Sequence, residues 1–294
     1  MDTAFAATVV AVIEEGSIAA AARRLGLTPG AVALRVKTVE AELGATLIGR
    51  SGRRVAATPA AARLLGALRG LVDGAAELKR LASARTVAGQ LRLGTIATAS
   101  TGLLPPVLCA LTQAHPDLAL TIEPGTSIEL CERVLDGALD AALVVEPPMA
   151  LRKGEAFTRW VAEPLVLITP PSRAGADPLA LLARETFIRY DRRNWGGRIV
   201  DRYLRTIGVV PRDRIELDAL DGIVAMVSAG LGVAIIPDWT GPRPQGTQVA
   251  CLPLPPPAPV RNVGIYCRSM SPRQDLIALL TETFGRSACG SPQR

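Results

Sequence analysis

At 294 residues the chain has room for about two folding units of roughly 150 residues each, and 49% hydrophobic residues with a mean hydropathy of +0.28 exclude a disordered chain. Five dispersed cysteines (Cys109, Cys131, Cys251, Cys267 and Cys289) without a CxxC pair argue against a disulfide framework or thiolate metal site, and one histidine, His115, leaves little for imidazole-based catalysis. The net charge of +6 is uneven: residues 1–89 hold 12 basic and 7 acidic side chains, residues 90–294 hold 21 and 20, and only Lys37, Lys79 and Lys153 are lysine, which points the arginine-rich N-terminal third at phosphates.

The chain opens on Asp2 without a basic n-region, and Glu14-Glu15 close its first apolar run, so no export signal is expected. Neither 93–116, broken by Gly102, Pro105 and Pro106, nor 223–237 reaches the roughly 20 apolar residues that span a bilayer. A cytoplasmic location and no membrane partner are expected.

Phe5, Val9, Val12 and Ile13 make one helical stripe that stops at Gly16. Ser17 can cap a second helix over 18–25, whose run of alanines lets a neighbour approach closely. Thr28-Pro29 is a cap followed by proline at the first helical position, so a third helix starts there; Val32, Val36, Val39 and Leu43 form its buried stripe and Gly44 ends it. Its other face carries Thr28, Pro29, Gly30, Ala33, Leu34, Arg35, Lys37 and Thr38. Two helices joined by a tight turn, the second small and basic on its exposed face, form a helix-turn-helix suited to a major groove. Generic three-helix packing gives similar stripes, so the next segment matters. Residues 47–50 and 54–57 read as two short strands about a glycine turn with Arg50, Arg53 and Arg54 at the tip, a wing able to follow phosphates or enter a minor groove.

Thr58-Pro59 repeats the cap-plus-proline start, and Leu64, Leu68, Leu71, Ala75 and Leu78 then recur at spacings of 4 and 3, a coiled-coil seam. A helix of about 35 Å at 1.5 Å per residue is too long to stand alone, so it is expected to pair with a second copy; the other reading is a helix lying on its own domain.

From residue 90 onward, short apolar runs (91–96, 119–122, 141–145, 165–169, 187–190, 233–236, 263–267) alternate with helical stretches (103–114, 128–135, 197–207, 220–229), an α/β pattern. Ligands in such folds sit beyond strand C-termini near helix N-termini. Thr98, Ser100 and Thr101 follow the first strand, and Thr126 and Ser127 follow the second; these hydroxyls either receive a small carboxylate or are ordinary helix caps. Further on, 189–197 packs arginines, Tyr190, Trp195 and a glycine pair into one strand-to-helix join. Arg192 or Arg193 is a candidate partner for an anionic effector and Trp195 for its apolar part, a solvated charge run being the plain alternative. His115 sits at a helix-to-strand turn, where it can bind the last helix carbonyls, and 252–259 is a stiff proline-rich connector.

Three stretches of the head, A-A-R-R-L-G-L-T-P-G-A-V at 21–32, V-E-A-E-L-G-A-T-L-I-G-R at 39–50 and T-P at 58–59, resemble the LysR-type transcriptional regulators. The likeness continues through Q-L-R-L-G at 90–94, L-L-P-P at 103–106, H-P-D-L at 115–118, L-D-G-A-L-D-A-A-L at 135–143 and M-V-S-A-G-L-G-V-A-I-I-P at 226–237, in the family's order. The chain departs from the family at Ala33 and Leu34, commonly serine and arginine, and at Ile48, commonly phenylalanine. Apolar Ala33 and Leu34 can meet thymine methyls, leaving Thr28, Arg35 and Lys37 for hydrogen bonds and phosphates.

The resemblance implies an N-terminal winged helix-turn-helix, mainly α, over 1–58, a linker helix over 59–88, and a bilobal periplasmic-binding-protein-like α/β domain over 89–294. Lobe one would comprise 89–161 and 266–294, and lobe two 162–265. It implies a regulator that binds a pseudo-palindromic duplex as a dimer or tetramer and is controlled by a small molecule in the C-terminal cleft. The competing reading is a solute-binding or transport component on the same bilobal fold, against which the basic N-terminal unit speaks. No catalytic residue, metal or cofactor is expected.

Overall fold

The computed structural model describes residues 1–51, 54–82 and 89–289, without side chains at 50, 51, 54, 76–82, 288 and 289. The first helix, α1 (Thr3–Glu15), starts at Asp2, whose carboxylate accepts from the Ala4 amide. Ser17 caps α2 (Ile18–Leu25) by accepting from Ala20 N at 3.3 Å, and Thr28 caps α3 (Pro29–Leu43) by accepting from Ala31 N at 3.2 Å. Between α2 and α3 the chain turns at Gly26, whose φ of 65° is left-handed backbone that favours glycine. Val9 and Val12 of α1, Ala21 of α2, and Val32, Val36 and Val39 of α3 are buried together, as the stripes predict. Leu43, expected to continue the α3 stripe, is exposed, because it lies in the last turn beyond the facing helices.

Strands β1 (Ile48–Ser51) and β2 (Arg54–Ala57) form the expected antiparallel hairpin. The Glu40 carboxylate on α3 accepts from the Leu47 and Ile48 amides at 2.7 and 3.0 Å, so α3 fixes where the hairpin leaves. Helix α4 (Pro59–Ala82) corrects part of the seam expectation. Leu68 is 3% exposed inside the head's own core and Leu64 packs on it, since α1 needs cover on its Val9 and Val12 face. Leu71 is exposed and Ala75 half-buried, while the Leu78 side chain lies outside the described residues.

The rest of the chain is built on one long strand. Strands β3 (Gly89–Thr95), β4 (Leu118–Pro124) and β5 (Ala141–Val145) run parallel, with β3 between the other two. Helices α5 (Ala97–Gly102), α6 (Leu104–Ala114) and α7 (Ser127–Leu135) connect them; α6 answers to the helix expected over 103–114, and the short α5 before it was not expected. Strand β6 (Glu155–Thr169) pairs along 155–164 with β11 (Val260–Arg268), which in turn pairs with β5. Along 165–169 it pairs instead with β9 (Ala234–Pro237) and β10 (Ala250–Pro253). Its first half is a sheet edge and its second half a sheet centre, which is why only the second half shows as an apolar run. Helices α8 (Pro178–Arg184), α9 (Trp195–Thr206) and α10 (Leu220–Ser228), with the parallel pair β7 (Thr186–Tyr190) and β8 (Arg212–Leu217), complete the second lobe. Helix α11 (Gln274–Cys289) returns to the first lobe, where Leu276, Ile277 and Leu280 are buried.

Each lobe has its own apolar core. Val263 and Ile265 belong to the first and Leu165 opens the second, so the expected borders at 161/162 and 265/266 shift to about Pro164 and Val260. Trp195, at the start of α9 in lobe two, is buried against the lobe-one core and ties the two together.

Because Leu68 fills the head's own core, truncating it in Leu68→Ala should cost about 2–5 kcal/mol. Thermal unfolding followed at several protein concentrations checks this: a Tm drop independent of concentration is expected, and one that vanishes on concentrating the protein would place Leu68 between copies.

Candidate functional site

Two regions gather the residues singled out in the sequence. On the head, α3 turns a small-residue face to solvent: Pro29, Gly30 and Lys37 are exposed, Leu34 is 67% exposed, and Ala33 is half-buried. Thr38 is spent locally, its hydroxyl donating to Leu34 O at 3.0 Å. Arg35 does not reach outward as expected. Its guanidinium lies 5.2 Å from the Phe5 ring centroid and donates to Thr8 Oγ1 at 3.4 Å, because a cation beside an aromatic face on α1 is stabilised there. Arg53 and the side chains of Arg50 and Arg54 lie outside the described residues. Two exposed cations that the sequence reading passed over, Arg23 on α2 and Arg63 on α4, have no ion pair among the described residues. Their only signal was position, Arg23 in the last turn of α2 and Arg63 near the start of α4.

The second region is a cleft of about 170 Å³ between the lobes. Of the expected residues, Thr98, Thr101, Thr126, Ser127 and Trp195 line it, while Ser100 and Arg192 do not. Ser100 instead donates to Ala97 O at 2.7 Å as a helix-turn bond. Arg192 is exposed and held by Glu216 at 3.1 Å and Asp213 at 3.3 Å, and it keeps the Glu216 carboxyl below its usual range. Arg193 does the same to Asp191 at 2.7 Å. Both arginines of the expected anion site are therefore paired with neighbouring acids. The hydroxyls are also engaged. Thr126 forms a capping box with Glu129, Ser127 Oγ accepts from Val145 N at 3.1 Å, and Thr98 Oγ1 accepts from Arg261 at 3.0 Å.

Arg261, which the sequence reading missed, is the cation that lines the cleft. It is 1% exposed on β11, directly opposite Glu163 of β6, and grips that carboxylate through Nη2 at 2.5 Å and Nε at 2.7 Å. Burial pushes the Glu163 carboxyl up and the adjoining guanidinium opposes it. The Tyr190 phenol is pushed up, burial again outweighing the same guanidinium. A Cβ on Gly196 would lie 2.5 Å from the Tyr190 ring, and one on Gly197 would lie 2.0 Å from Asp191 O. The glycine pair thus exists so that the start of α9 can close on the end of β7. Asp218 and Asp221 occupy the lobe-two wall, with Pro124, Ile96 and Val145 as apolar contacts opposite. No cysteine lines the cleft. Burial pushes the Cys131 thiol up to about 12 and also raises Cys251 and Cys267, so these are protonated thiols and poor nucleophiles. Among the described residues no group of three His, Cys, Asp or Glu side chains could hold a metal, and no helix is long and apolar enough to cross a membrane.

Residues 6–62 match the model of the bacterial regulatory helix-turn-helix protein of the lysR family, and residues 84–288 match the LysR substrate binding domain. A Mycobacterium avium protein described as a probable hydrogen peroxide-inducible genes activator is 31% identical over 291 residues, covering 94% of this chain and 91% of its own. The HTH-type transcriptional regulator CzcR of Bacillus cereus is 28% identical over 231 residues, covering 77% of this chain and 76% of its own. Among solved structures, a full-length OxyR variant from Pseudomonas aeruginosa superposes with a TM-score of 0.77 at 24% identity, covering 97% of this chain and 94% of that one.

Removing one partner of a buried ion pair leaves the other charge stranded, so Arg261→Met should cost the effector domain about 3–5 kcal/mol. Adding Glu163→Gln should recover most of it in urea unfolding; equal losses in the single and double variants would contradict the pairing. Native Cys131 should resist iodoacetamide at about pH 8.5, where a free thiol is half ionised, and react in denaturant. Mass spectrometry showing it alkylated in the folded protein would contradict its burial.

Proposed function

The chain belongs to the LysR family of bacterial transcriptional regulators, with a helix-turn-helix and an effector-binding domain, and from that premise we propose how it works. Helix α3 enters a major groove with Leu34 and Ala33 against base edges, Pro29, Gly30 and the Thr28 cap close to the backbone, and Lys37, Arg23 and Arg63 on phosphates. Arg50, Arg53 and Arg54 of the hairpin follow the adjoining minor groove. Two heads, brought together by self-association, read a pseudo-palindromic site. The protein acts in the cytoplasm and performs no catalysis.

A small molecule bound between the lobes then shifts the balance between DNA-bound geometries, which requires that it bind those states unequally. The observation that carries this reading is the joining, in one chain, of an α3 whose outer face is left uncovered to two lobes that enclose a cleft over a buried guanidinium. The name of the Mycobacterium avium relative refers to hydrogen peroxide. In this chain the raised thiols and the thiol-free cleft favour reversible ligand binding over cysteine oxidation.

Gel-shift titrations across a salt series test the DNA half. A steep fall in affinity with salt is expected, each lost phosphate contact in Lys37→Ala or Arg63→Ala flattening the slope by about 0.9. Arg35→Ala should leave the slope alone and lower head stability by about 0.5–1 kcal/mol, the worth of an exposed cation on a ring. Absence of any shift at low salt would overturn the reading.

A further inference from the structure

Helix α4 is bound on two sides by its own chain. One side is the Leu68 contact with the head; the other meets lobe one at closer range than side chains allow. A Cβ built on Gly66 would fall 2.8 Å from the backbone oxygen of Asp136, in the turn between α7 and β5. Backbone therefore touches backbone at that point, and only glycine fits.

Charged groups flank the contact. Arg69, whose side chain is 12% exposed, places Nη2 at 3.2 Å from Glu14 of α1 and Nη1 at 3.9 Å from Asp136 of lobe one. Its Nε is buried with no hydrogen-bond partner. One turn further along α4, Asp73 meets Arg92 of β3 at 3.0 Å, and Arg92 also grips Asp140, 2% exposed, at 3.1 Å. Asp140 accepts in addition from the Arg92 backbone amide at 2.7 Å, so lobe one holds Arg92 in place to receive α4. A cavity of about 310 Å³ lies among these groups, lined by Glu14, Arg69, Asp73, Arg92 and Asp140.

We infer that Arg69 and the Asp73–Arg92 pair are positioning residues that hold the head and α4 against lobe one of the same subunit as a releasable joint. Neither the core of the head nor that of lobe one requires these ion pairs, since each packs on its own apolar residues. Their chemistry suits a reversible joint: charged pairs around a polar cavity hold orientation with little hydrophobic gain, and salt can reach them. The inference concerns how one chain is jointed and holds whether or not a given DNA site is bound.

Hydrogen–deuterium exchange on the full-length protein tests it. Arg69→Gln should raise exchange about tenfold in 66–73 and 136–139, a fold-change in keeping with a partly buried charged contact, while α3 and β5 stay unchanged. Asp136→Asn should raise exchange at 136–139 and leave α1 alone. Raising salt to about 1 M, where the screening length is about 3 Å, should speed the same segments in the wild-type protein and produce a smaller further rise in Arg69→Gln, where only the Asp73–Arg92 pair remains to be screened. Identical exchange in wild type and Arg69→Gln at both salt levels would overturn the inference, as would a rise spread evenly over the whole head.

Discussion

A buried guanidinium and a buried carboxylate, facing one another across the two strands that carry the chain between lobes, set the terms for the rest of the effector domain. Arg261 and Glu163 are register partners on β11 and β6, so their bond staples the outgoing and returning crossovers side by side. Each charge is tolerable inside only because the other is there. The third contact of Arg261, to Thr98, fixes the start of α5 to the same point, and Tyr190 rests above it from lobe two. The floor of the cleft is thereby a fixed feature, while its walls belong to two bodies with separate cores.

That division explains how a cleft of modest volume can matter to a distant helix. A ligand that touches both walls gains contacts only when the walls are close, which is the differential affinity a population shift requires. Trp195 bridges the two bodies, because its indole sits in the lobe-one core while its helix belongs to lobe two.

What the sequence made legible was local. Caps at Ser17 and Thr28 need only neighbouring residues, and the structure places them where the pattern does. The stripes at Val9, Val12, Val32 and Val36 follow for the same reason. Arg35 was misread because the Phe5 ring that takes it lies a helix away, and Arg192 because its acids, Asp213 and Glu216, are 21 and 24 residues further along, on β8. Arg261 was invisible: its partner is 98 residues distant, and an arginine in a strand of mixed polarity carries no mark of burial. Half of β6 was missed since an edge strand with Glu155, Thr158 and Arg159 lacks an apolar run. Of the hydroxyls beyond strand ends, Thr98, Thr101, Thr126 and Ser127 line the cleft and Ser100 does not, and hydrogen bonds within the chain already engage them.

The most direct test of the account is selection of binding sites from random duplex DNA by the full-length protein. Enrichment of a motif with two inverted half-sites, their centres about one helical turn or a multiple apart, is the predicted result. A pool that enriches nothing above input, in low salt and with the protein folded, would contradict it.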